Sequence, residues 1–350
     1  MRQIRLFILL ISVTVFTAAC QKKTIEHHDN FLIFGTVVNV TLLDVNEKKA
    51  AEIFRLIRDD FKIMHRAWHV WEPGPLMRTN QLLKTTLEFS AAPSVIELFH
   101  VAKKLAIKSQ NLFNPAAGEL IALWGFHSHQ QPTIPPEKKK ILRLVKKQPT
   151  MQNITVKGFR IKSNNAAVKL DFGGVAKGFA IERVLKMLKQ KGINNALIDT
   201  GGDLKVIGRH GERAWKVAIR DPRQDQENAI VASIELNDNE AAFTSGNYER
   251  YLKNKNNNDK HLHHIIDPRT GYPAIGTQSV TVLHNDASTA DAAATAIFIA
   301  GPTQWVKIAK AMGVKNVLLI DDEGKIQISS SMFKRIKLKP NWSAVEKISL

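Results

Sequence analysis

Helix-type and strand-type hydrophobic patterns interleave along this chain without settling into a repeated strand–helix–strand order. Across residues 46–68 the apolar side chains Ile53, Phe54, Ile57, Phe61 and Met64 recur at helical spacing. Residues 94–109 repeat the pattern, and 137–147 read as a short basic helix. Residues 31–43 read as a strand broken at Gly35-Thr36, 151–172 as two strands, and 195–247 mostly as strands with turns. Residues 71–81, with Pro73, Gly74 and Pro75, read as a loop. A glycine-rich turn at 173–178 leads into a helix, and further helices are expected at 288–300 and 303–312. A doubly wound parallel sheet needs regular alternation. This mixed order predicts an α+β fold instead, with mixed sheets, packed helices and interleaved subdomains.

The first residues are of a different kind. Arg2 and Arg5 precede an apolar run at 6–16, the small residues Thr17, Ala18 and Ala19, and then Cys20. A run of about ten apolar residues is too short to span a bilayer and has the anatomy of an export signal. Cys20 is the only cysteine and stands where a lipoprotein signal carries its acceptor thiol. The expected organisation is a signal peptide at 1–19, a lipid-anchored tether at 20–30 and one domain over 31–350. A plain secretory signal followed by a chance cysteine is the alternative. One thiol permits no intramolecular disulfide, so a core must hold the fold. The net charge is +18, falling to +16 once Arg2 and Arg5 leave with the signal. The lysines are dispersed rather than interleaved with aromatics, which argues against nucleic acid and for a solvated basic surface or an anionic partner.

Three segments carry chemistry. In Leu170-Asp171-Phe172-Gly173-Gly174-Val175-Ala176-Lys177-Gly178, an apolar strand ends in an acid, and a turn with three glycines and a lysine opens a helix. Bare N–H groups at a helix start, beside a lysine, suit a phosphate. A tight strand–helix turn without a ligand fits equally. His263-His264-Ile265-Ile266-Asp267-Pro268-Arg269-Thr270-Gly271 is turn-rich and offers an imidazole base, or surface histidines in a turn. In Ser288-Thr289-Ala290-Asp291-Ala292-Ala293-Ala294-Thr295, Asp291 and Thr295 share one helix face among alanines. That pair can hold a hard cation, or can be a helix-start acid and a back-bonded threonine. Small-residue loops recur at 113–120, 198–203 and 243–248.

Taken in order, these segments resemble the ApbE family of FAD:protein FMN transferases. The resemblance runs from about Phe34 to Gly301. It implies Mg²⁺ on Asp291, Thr295 and the backbone carbonyl of Gly174. It implies FAD contacts from Asp171, Lys177, Ala116, Ala117, Gly118, His264 and Ile265, with Trp68 as the aromatic packed on flavin or adenine. It implies His264 as the base and transfer of FMN from FAD to a Ser or Thr hydroxyl of target flavoproteins, with release of AMP. The expected acceptors are exported proteins such as subunits of ion-pumping redox complexes, met on the periplasmic side of a bacterial membrane. Two other readings of the same site are FAD hydrolysis to FMN and AMP, and non-catalytic FAD binding by a lipoprotein.

The anchor reading makes a direct prediction. Cys20→Ser is expected to leave the chain soluble or unprocessed; a variant that is cleaved and fractionates with membranes like the wild type would exclude a thiol-linked lipid.

Overall fold

The computed structural model describes residues 24–126, 134–223, 229–252, 262–340, 342 and 344–350. Cys20, the rest of the signal and the polar, lysine- and asparagine-rich residues 253–260 lie outside the described residues. Nine strands form the central sheet: β1 (Glu26–Ile33), β2 (Thr36–Leu43), β3 (Ala196–Thr200), β4 (Leu204–Ile207), β5 (Ala241–Gly246), β6 (Thr277–His284), β7 (Asn316–Asp321), β8 (Ile326–Ser329) and β9 (Val345–Ile348). Their order across the sheet is their order in the chain. Every neighbouring pair is antiparallel except β8 and β9, which are parallel. The remaining elements are insertions into this meander, which is why no strand–helix alternation shows in the sequence.

Both faces of the sheet are covered. In β7, Val317 and Leu319 join the helix-side core, while Leu318 and Ile320 join the opposite one. Side chains alternate across a strand, so a continuous apolar run here marks burial on both sides. The second face is covered by a small sheet of Trp215–Arg220, Ile230–Leu236 and Ile336–Leu338. The helices α1 (Glu47–Trp68), α2 (Pro75–Leu83), α3 (Pro93–Lys108), α4 (Gly118–Trp124), α5 (Lys138–Lys146), α6 (Ala176–Gln190) and α7 (Ala287–Met312) supply the rest. The alanine-rich α7 lies against β5 and β6 and packs on α3 and α6. Among the described residues no helix is long and apolar enough to cross a membrane.

Two expectations change. The chain is already a strand at Glu26, paired residue for residue with β2, so residues 26–30 are not tether. Their polar character suits an edge strand with one face in water. The loop expected at 71–81 becomes helical at Pro75, because proline at the first helical position gives up an N–H that would lack an intrahelical partner anyway. The two late helices expected at 288–300 and 303–312 are both present within α7, separated by the non-helical Gly301 (φ 70°, ψ 179°), where Pro302 follows.

α6 and α7 approach tightly at Gly178. A Cβ there would stand 2.3 Å from the Ala287 carbonyl oxygen. Gly178→Ala is therefore expected to destabilise the fold by about 1–3 kcal/mol through overpacking. Urea denaturation measures this, and an unchanged midpoint would show that the two helices separate freely.

Candidate active site

Asn80 on α2 fixes the extended segment that enters the glycine turn, where no regular strand forms. Its side-chain carbonyl accepts from Leu170 N at 2.7 Å, and its amide donates to Leu170 O at 2.9 Å. The loop before α4 is joined to the same segment. Gly118 N donates to Lys169 O (2.9 Å) and Asp171 N to Pro115 O (2.8 Å), so Ala116, Ala117 and Gly118 lie buried beside Asp171. Asp171 Oδ1 then accepts from Gly173 N at 2.8 Å and shapes the turn. A groove of about 470 Å³ opens beside this loop, lined among others by Asn111, Asn114, Ala117, Leu120, Pro268 and Arg269.

At the start of α6, Lys177 forms an ion pair with Asp203, which follows β3. The other oxygen of Asp203 accepts from Thr244 N at 2.9 Å. Burial opposes the Lys177 charge, but Asp203, with Asp291 and Glu249 beyond it, outweighs burial and raises its pKa above the ordinary lysine value. Lys177 is thus a fixed cation at neutral pH.

Asp291 lies on α7 and is 6 % exposed. Its Oδ2 accepts from Gly178 N at 3.0 Å. Burial pushes its carboxyl up to about 7, against the pull of Lys177. One helical turn on, Thr295 Oγ1 is 3.4 Å from Ser245 Oγ and 3.4 Å from the Asp291 carbonyl oxygen. A Cβ at Gly174 would come within 3.2 Å of Thr295 Oγ1. The glycine turn, α7 and the end of β5 therefore meet at one point. Its oxygens are a carboxylate, two hydroxyls and the Asp291 carbonyl, all hard oxygens of the type that Mg²⁺ takes. Asp291 is a buried carboxylate that a cation would stabilise in its ionised form. Among the described residues no three His, Cys, Asp or Glu side chains gather into a metal cluster. A cation here would rest on Asp291, Thr295 and backbone oxygen, with the remaining ligands from outside the protein.

His264 is half-buried. Its backbone N–H donates to Arg250 O at 3.0 Å, and its Nδ1 lies 3.3 Å from the same oxygen. With the proton on Nδ1, Nε2 is left as an acceptor. Burial, then the neighbouring His263 and Arg250, and more weakly Lys177, lower its pKa well below the ordinary imidazole value. The next residue, Ile265, is buried; its carbonyl accepts from Ala274 N.

Two expectations need correction. Trp68 is 6 % exposed, its indole N–H donates to Ser94 O at 2.9 Å, and its ring lies against Phe34 and Phe179. It is a core residue. The half-buried Trp71 has Lys169 Nζ 4.2 Å from its ring centroid and so lies beside the segment that enters the glycine turn. His263, read as a surface histidine of a turn, is 3 % exposed; its Nε2 bonds Ala274 O at 2.9 Å and its ring packs edge-on to Phe298. The sequence reading also gave no role to Asp203, Ser245 or Glu249. The first two stand in the small-residue loops at 198–203 and 243–248, and that loop composition was the available signal.

A fixed cation at a helix start, near a buried acid and hydroxyls on a glycine-lined wall, is an arrangement suited to an anionic group in an α+β fold. The model of the ApbE family matches residues 34–318, and the chain belongs to that family. A Rhodobacter capsulatus protein named FAD:protein FMN transferase is 38 % identical over 309 residues, 88 % of this chain. This chain spans 58 % of that relative's length. The Haemophilus influenzae protein of the same name is 27 % identical over 344 residues, with 94 % of this chain and 96 % of that protein covered. The ApbE protein of Thermotoga maritima superposes with a TM-score of 0.78 at 29 % identity, covering 88 % of this chain and 98 % of the other.

Asp291 makes stability depend on pH. The unfolded chain loses this proton near the ordinary value of 3.8, whereas the folded chain keeps it to about 7. Between these values the folded state binds more protons, so stability of the metal-free chain falls as pH rises. Asp291→Asn is expected to flatten that slope. Denaturation profiles that stay parallel for the two proteins would assign the slope to other groups.

Proposed function

We propose that this chain transfers FMN from FAD to a serine or threonine hydroxyl of another protein, with Mg²⁺ as cofactor. The observation that carries this reading is the meeting of a fixed Lys177 cation and the α6 N-terminus with Asp291 and Thr295 on α7. The pyrophosphate of FAD is the concentrated negative charge that such a site suits. Asp171 and the 116–118 loop lie along one wall, and an open groove of about 470 Å³ adjoins that loop at Ala117.

The acceptor hydroxyl oxygen attacks the phosphorus of the FMN half. The bond from that phosphorus to the bridging oxygen breaks, and AMP leaves with the oxygen. The acceptor proton passes to His264 Nε2. Lys177 and the α6 N–H groups neutralise charge that grows on the leaving oxygen. Bound to Asp291, Thr295 and the Gly174 carbonyl, Mg²⁺ would supply further charge neutralisation and orientation. Acceptors are exported flavoproteins such as subunits of ion-pumping redox complexes, met at the periplasmic face of a membrane to which Cys20 tethers the chain by a lipid.

Covalent flavin on a co-expressed acceptor, read as in-gel fluorescence, separates transfer from hydrolysis and from simple binding. Asp291→Ala is expected to lower AMP release by roughly 10²-fold or more. His264→Ala is expected to keep FAD binding and lose transfer by roughly 10²–10⁴-fold. His263→Ala is expected to lose stability rather than chemistry, since it removes a buried hydrogen bond and a ring contact. Parallel loss of binding and transfer in His264→Ala would make His264 a binding residue and place the base elsewhere.

A further inference from the structure

One buried cation takes no part in this chemistry. Lys205 on β4 is 1 % exposed, and its Nζ donates to Glu182 Oε1 at 2.6 Å and to Asn285 O. Glu182 Oε1 also accepts the backbone N–H of Ala287 at 2.6 Å. Ala287 is the first residue of α7, where N–H groups have no intrahelical partner. Asp286 caps Thr289 N at 2.7 Å, and Glu182 takes the N–H of Ala287.

The spacing on the two helices matches. Gly178 and Glu182 stand one turn apart on α6, as do Ala287 and Asp291 on α7. Gly178 N donates to Asp291 Oδ2, and one turn on Glu182 holds Ala287 N. Between them the bare Cα of Gly178 seats on the Ala287 carbonyl. The axial position of α7 on α6 is therefore set at two points, and Lys205 ties the Glu182 carboxylate to the sheet. A slide of α7 would move Asp291 and Thr295 together away from Gly174.

We propose that Glu182 is a positioning residue for the cation site: its grip on Ala287 N sets where α7 presents Asp291 and Thr295. This rests on the cation site proposed above. Two substitutions separate reach from charge. Glu182→Gln keeps an oxygen at the same reach but leaves Lys205 without its counter-charge. Glu182→Asp keeps the charge but is one methylene too short for Ala287 N.

The test is Mn²⁺ binding to the purified chain without FAD, followed by the electron paramagnetic resonance signal of free Mn²⁺, beside urea denaturation of each variant. Glu182→Gln is expected to lose stability and keep its Mn²⁺ affinity. Glu182→Asp is expected to lose about tenfold in affinity, as when a group that orients a metal ligand is removed, with the smaller loss of stability. Affinity that follows stability across the two variants, or that stays at the wild-type value in Glu182→Asp, overturns the proposal. The control is Asp291→Asn: if it binds Mn²⁺ as the wild type does, the cation site itself is wrong and the role of Glu182 falls with it.

Discussion

Asp291 is ionisable, almost fully buried, and served by one backbone N–H. A carboxylate in that position is expensive to keep charged unless a cation stands close. The nearest fixed cation, Lys177, is already committed to Asp203. Around the N-terminus of α6, Lys177 is shared among several acids; Glu249 and Asp199 are also pushed up by burial, with Arg220 and Arg250 offsetting part of the effect at Glu249. The fold holds this crowding of acids because α6 and α7 are pressed together where only glycine fits. A metal ion at Asp291 would relieve that carboxylate, which Lys177 serves only in part, and the ion in the proposed reaction would help to hold a pyrophosphate.

Segments far apart in the chain reach this point through one topological device. The central sheet is a sequential meander, so its strands lie side by side in chain order. The Asp203 loop joins β3 to β4, Ser245 is near the end of β5, and α7 connects β6 to β7. These elements neighbour one another through the sheet. The glycine turn belongs to the long insertion between β2 and β3; the Asn80 side chain and the backbone of the 115–118 loop hold the residues that enter it by hydrogen bonds. Residues that contribute only a backbone carbonyl or N–H, such as Gly174 and Gly178, owe their positions to this framework.

Much of this was legible in the sequence, and the limits have physical causes. The face shared by Asp291 and Thr295 follows from helical periodicity, and the glycine turn from its composition. The interleaved α+β class follows from the irregular order of patterns. Position within the core was harder to read. Trp68 and Trp71 are both early aromatics, and only the packing of Phe34 and Phe179 shows that Trp68 is consumed by the core. His263 and His264 alternate as strand neighbours do, but alternation cannot say which one faces inward. Pro75 read as a loop signal because proline breaks helices in their interior while favouring their first turn. The role of Asp203 depends on a partner, Lys177, that approaches it only through the packing of α6 on the sheet.

The His264 environment bears on when its base could act. Its pKa is depressed by burial and by the positive charge of Arg250 and Lys177. In the empty site it is therefore neutral at physiological pH and ready to accept a proton, yet weakly basic. A bound pyrophosphate would bring negative charge to the same neighbourhood and offset both cations. Opposite charge nearby favours the protonated imidazole, so substrate binding itself would raise the basicity of His264. Water reaching the empty site would meet a poor base, whereas an acceptor hydroxyl arriving with FAD in place would meet a better one. In the proposed reaction this would couple proton acceptance to occupation of the phosphate site, through the same lysine that would neutralise the leaving oxygen.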